Sequence, residues 1–118
     1  AALVAELKLL ALPSAAVKAP GECAAYYAGT KLFRALPLFA KVMAIELLMS
    51  CQAMDIVQEK LPEFPFGKGT SAVKAKVRES IVMMTENRFV SPDMNEADRL
   101  ITNGDILKAA ETAVGELR

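Results

Sequence analysis

Residues 1–12 are apolar apart from Glu6 and Lys8, a pattern compatible with a helix. Pro13, Pro20 and Gly21 then punctuate a run of small residues, and 13–29 reads as a loop. From about Thr30 to Glu59 the periodicity is that of one long helix. Leu36, Ala40, Met43, Leu47, Cys51 and Met54 keep helical spacing on one face, while Phe39, Val42, Ile45, Leu48 and Met49 fill the others. Only Lys41, Glu46, Gln52 and Asp55 are clearly polar in its central part, and a helix apolar nearly all round belongs inside a bundle. Glu46 in such surroundings predicts a structural ion pair or hydrogen bond, because a buried carboxylate is costly unless paired. Pro37 is expected to start the regular helix or to kink it.

Leu61 to Gly69 holds Pro62, Pro65, Gly67 and Gly69 and must be a connection. Thr70 or Ser71 is predicted to cap a helix from Ala72 to about Asn87. Val73, Val77, Ile81 and Met84 form its apolar stripe, and Lys74, Lys76, Arg78 and Glu79 are expected to face water. Ser91-Pro92-Asp93 reads as a turn, and Asn95 as the cap of a short helix through Thr102. Asn103-Gly104 supplies a left-handed end, and Asp105 the cap of a last helix to about Leu117. No segment alternates as a strand does. The predicted fold class is all-α, a helical bundle around one long, nearly all-apolar central helix. The chain forms a single helical unit over 1–118, with a loop over 13–29, the central helix over 30–59 and C-terminal helices over 70–118.

Composition narrows the function classes. The chain has 118 residues, 53% of them hydrophobic, with no tryptophan. That apolar content is high for so small a domain, so some apolar faces are expected to meet other chains or another part of the same one. Fourteen basic and fourteen acidic residues leave no net charge, which argues against nucleic acid as a partner. Cys23 and Cys51 lie far apart and there is no histidine, so the usual Cys/His zinc sets are excluded and no metal site is expected. Both cysteines read as reduced thiols of a cytoplasmic protein. Cys23 has no histidine to activate it, the methionines read as core filler, and Gly67-Lys68-Gly69-Thr70 lacks the rest of a phosphate loop. The stretch Val42 to Met54 contains Glu46 and is too short to span a bilayer. The start, Ala1-Ala2-Leu3, reads as the interior of something longer.

Several stretches resemble, in order, the C-terminal part of the histidine and aromatic amino-acid ammonia-lyases. Ala44-Ile45-Glu46-Leu47-Leu48 followed by Gln52-Ala53 and Asp55 is similar to that family's "AIELL-x-x-x-QA-x-D" core helix. Val77-Arg78-Glu79, Asn87-Arg88 and Ser91-Pro92-Asp93-Met94 resemble its "V-R-E … DR-x-x-x-PDI" segment. Leu100-Ile101 with Gly104 and Ile106-Leu107 is similar to its closing "L-I-x-x-G-x-L", and Glu6-Leu7-Lys8 with Pro13 and Pro20 to its approach to the active-site loop.

The resemblance implies a mostly helical enzyme that eliminates ammonia from an amino acid and assembles as a tetramer from identical subunits. Its electrophile is a methylidene-imidazolone formed from Ala-Ser-Gly, a tripeptide this sequence does not contain. The cofactor would therefore come from another part of the enzyme or another chain. The family's "Q-E-D-x-x-S-x-G" loop corresponds to Gly21–Gly29, which is shorter and holds Glu22 as its one carboxylate. Glu22 is accordingly the candidate catalytic residue, set against a solvated loop glutamate. Tyr26 and Tyr27 are candidates for substrate binding, set against a role in covering the bundle. A rival reading keeps the scaffold and drops the chemistry: a non-catalytic helical oligomerisation module derived from that family.

Overall fold

The computed structural model of the protein describes residues 1–13 and 24–117. Among these residues the fold is all-α, as the pattern predicts. It runs α1 (Ala2–Leu10), α2 (Ala24–Lys60), α3 (Lys68–Arg78), α4 (Ser91–Thr102) and α5 (Asp105–Val114), with no strand. Two compact units divide the chain, Ala1–Val42 and Met43–Arg118.

The first unit holds α1 and the N-terminal part of α2. The Lys31 ammonium donates to the Leu12 carbonyl at 2.7 Å, just past the end of α1, where helical carbonyls lack partners. Between these two helices lies an open groove lined by Leu7, Leu10, Leu12, Lys31, Leu32 and Ala35. Residues 24–29, expected as loop, are helical. Ala24, Ala25 and Ala28 favour the helix more than Gly29 disfavours it, and the Thr30 hydroxyl bonds back to the Tyr26 carbonyl at 3.0 Å. The helix also continues through Pro37, which removes the N–H that would reach the Phe33 carbonyl.

The second unit holds the remainder of α2 and α3 to α5. Its core is Ala44 and Cys51 from α2, Val77 from α3, Ile81 just beyond it, and Ala97 and Leu100 from α4. Leu47, Leu48, Ile101 and Ile106 pack around them. The α2 residues of this set recur at helical spacing and form one stripe. Away from that stripe, Ile45 is 37% and Met49 65% exposed. Glu46 is exposed too, so the burial expected of it does not occur, because α2 is covered on one face only. On α3, a Cβ added to Gly69 would lie 3.3 Å from Val114 Cγ1, so the missing side chain lets α5 approach closely.

Four boundaries of α3 to α5 depart from the pattern. The helix expected over 72–87 begins at Lys68, capped by extended Gly67 rather than Thr70 or Ser71, and stops at Arg78. Residues 79–90 leave the helix because side chains take over their backbone hydrogen bonds, as described below. Next, α4 begins at Ser91 instead of near Asn95: Pro92 fits the first turn, where its absent N–H costs nothing, and Asp93 favours the positive helix end. Finally, α5 ends at Val114, short of Leu117, because Gly115 takes up φ 88°. The left-handed break at Gly104 is where the sequence predicts it, at φ 78° and ψ 8°.

Candidate functional site

Asp55 lies one helical turn beyond Cys51, at the end of the buried stripe of α2. On α3, Lys74 and Arg78 are also one turn apart, flanking buried Val77, so both reach back to the same carboxylate. Lys74 Nζ lies 2.7 Å from Asp55 Oδ1. Arg78 donates to Oδ2 through Nε at 2.8 Å and Nη2 at 2.6 Å. The three side chains are 13%, 14% and 19% exposed in the order Asp55, Lys74, Arg78. Burial alone would raise the Asp55 pKa, but the hydrogen bonds and charges of Lys74 and Arg78 outweigh it and hold the carboxyl below its ordinary value. This corrects the expectation that Lys74 and Arg78 belong to a solvated face. Lys76 and Glu79 fit it, pairing with each other at 2.6 Å near the surface.

The irregular segment 79–90 is held by side chains. Arg78 Nη1 donates to the Ile81 carbonyl at 3.0 Å. Gln52 Nε2 donates to the Met84 carbonyl at 2.9 Å, and the Met84 N–H donates to Gln52 Oε1 at 3.0 Å. Arg88 reaches the carbonyls of Val82 at 2.8 Å and Met83 at 3.3 Å while Asp93 Oδ2 accepts from its Nε and Nη2. The backbone groups that leave the helix ladder thus find partners, which unpaired backbone demands. Beside this segment a small apolar hollow of about 200 Å³ is lined by Ile45, Leu48, Met49, Met84, Val90 and Met94.

Gln52, Asp55, Arg78, Arg88 and Asp93 are among the polar residues of the stretches that carried the family resemblance. In this structure these five hold the fold together. Cys51, free and buried between them, has its thiol pKa raised chiefly by burial, which makes it a poor nucleophile.

None of the residues predicted for substrate chemistry belongs to this set. Glu22 and Cys23 fall outside the described residues. Tyr26 and Tyr27 stand in the first turn of α2, their rings edge to face with centroids 6.2 Å apart. Tyr26 is 74% exposed and Tyr27 41%. No helix among the described residues is long and apolar enough to cross a membrane. The ion cluster on Asp55 was missed by sequence reasoning; the only signal was a pair of cations at i and i+4 flanking an apolar position.

A family model of aromatic amino acid lyases matches residues 1–79. The histidine ammonia-lyase of Streptomyces avermitilis is 33% identical, over 99% of this chain and 24% of its own length. That of Clostridium tetani is 32% identical over 97% of this chain and 24% of its own length. That of Natranaerobius thermophilus is 30% identical over 100% of this chain and 24% of its own length. The chain thus spans about a quarter of the length of the curated relatives it matches. No solved structure matches it.

Proposed function

This chain belongs to the aromatic amino acid lyase family, and we propose that it is a helical portion of an enzyme that eliminates ammonia from histidine or a related amino acid. The observation that carries this reading is a match running nearly the full length of the chain within one quarter of each relative. Family membership implies a methylidene-imidazolone built from Ala-Ser-Gly. These 118 residues contain no such tripeptide, so they do not fit the group and cannot form it. The electrophile comes from the rest of the enzyme or from another subunit. What this chain supplies is scaffold, through the Gln52, Asp55 and Arg88 anchors, and an apolar surface for assembly. Leu32, Phe33, Leu36 and Phe39 are 58%, 78%, 53% and 55% exposed, and the remaining part of the enzyme or identical subunits cover them. The setting is cytoplasmic.

Within this reading Glu22 acts beside the substrate amine, with Tyr26 and Tyr27 lining the approach. Tyr26 and Tyr27, exposed and close behind Glu22 in the sequence, support that placement. In the assembled enzyme, Glu22→Gln slows ammonia release at saturating substrate, because an amide holds no negative charge toward the amine; unchanged turnover would remove Glu22 from the site. The alternative is a non-catalytic oligomerisation module of the same ancestry. It is favoured by the same exposed apolar residues and predicts no ammonia release from any assembly.

A further inference from the structure

The Asp55 cluster holds more positive charge than it neutralises. Two cations meet one carboxylate, all three side chains being less than one fifth exposed. A largely buried excess cation is costly unless an anion balances it. Lys74 has three ammonium protons, of which Asp55 and Gln58 take two, the latter at 2.6 Å. Arg78 spends Nε and Nη2 on Asp55 and Nη1 on Ile81, which leaves it with further N–H groups of its five.

Both cations line a groove of about 430 Å³, within the range of small-molecule sites. Its other walls include Phe64, Phe66 and Ser71. Phe66 has its ring centroid 5.9 Å from Lys74 Nζ. Phe64 is 64% exposed, an apolar surface with nothing over it among the described residues. The groove therefore offers an apolar wall and, beside it, uncommitted cationic N–H donors.

We propose that this groove binds a small carboxylate with a planar apolar body, the carboxylate on Lys74 and Arg78 and the body against Phe64 and Phe66. The charge selects an anion, the aromatic wall selects a flat apolar group, and the volume excludes nothing smaller than a few rings. The site requires neither the electrophile nor Glu22, so it stands or falls independently of the lyase reading.

Benzoate and its neutral isostere benzamide test this, titrated into the full 118-residue chain and followed by amide resonances in two-dimensional NMR. Benzoate is expected to give saturable shifts at Phe64, Phe66, Lys74 and Arg78. Benzamide should bind at least about tenfold more weakly, the effect of losing one charge-assisted contact. Phe64→Ala, a change at an exposed position that leaves the thermal midpoint in place, should weaken benzoate by about fivefold, and Lys74→Gln by about tenfold. Equal affinity for benzoate and benzamide, affinity unmoved by Phe64→Ala, or absence of any saturable shift would each overturn the proposal.

Discussion

Gln52 and Met84, separated by 32 residues, exchange two hydrogen bonds, amide nitrogen to carbonyl at 2.9 Å and backbone N–H to amide oxygen at 3.0 Å. A primary amide carries a donor nitrogen and an acceptor oxygen side by side, so it can give and take in this way from a single position on α2. Gln52→Ala leaves both backbone groups of Met84 without these partners and should destabilise the protein by about 1–3 kcal/mol. Denaturant unfolding measures the loss, and faster amide exchange confined first to 79–90 locates it.

Asp55 makes stability depend on pH in a stated direction. Its carboxyl titrates below the ordinary value of 3.8, so the unfolded chain binds the proton more readily than the folded one. The contribution is complete above the unfolded pKa and is lost as pH falls through the lower folded one. Asp55→Asn should cost about 1–3 kcal/mol at neutral pH, less than for a fully enclosed pair because solvent reaches the cluster's edge. It should also flatten the acid limb of the stability curve. A residual acid dependence persists from Glu96, held at about 2 mainly by its hydrogen bond from Arg99.

At Gly69 the sign turns on one neighbour. An alanine Cβ would meet Val114 Cγ1 at 3.3 Å, a crowding that offsets the roughly 0.5–1 kcal/mol alanine gains over glycine within a helix. Gly69→Ala should therefore be near neutral, whereas Gly69→Leu should push α5 off α3 and cost about 1–3 kcal/mol. Thermal unfolding of the two variants distinguishes crowding from propensity.

Gly104 tests the backbone alone. Nothing lies within 4 Å of an added Cβ, yet φ is 78°. Gly104→Ala should cost about 1–2 kcal/mol from the left-handed conformation itself, and Gly104→Asn less, since asparagine tolerates that region better. Equal losses for the two would show that the turn rearranges.

Much of this architecture was legible because it is local. Helical spacing located α2, and the Asn103-Gly104 pair located the break before α5. The early stop of α3 was not legible: Val77, Ile81 and Met84 keep helical spacing through residues that are not helical. What ends the helix is the set of donors and acceptors on Gln52, Arg78 and Arg88, and pairings with a residue as distant in sequence as Gln52 leave no periodic trace. Lys74 and Arg78 looked like a solvated face for the same reason, since their partner is on another helix. The start of α4 turned on Pro92, which suits a first helical turn as well as the turn it suggested. Of the predicted site, Tyr26 and Tyr27 are placed on α2, while Glu22 lies outside the described residues.

The central claim is that this chain serves an ammonia-lyase whose electrophile lies outside these residues. Mass spectrometry of the native assembly, with ultraviolet absorbance of the same sample, tests it most directly. The account predicts polypeptide beyond these 118 residues, continuous with them or bound to them, carrying a dehydrated Ala-Ser-Gly and its absorbance band. An assembly made only of this chain, with no such modification and no ammonia release, would contradict it.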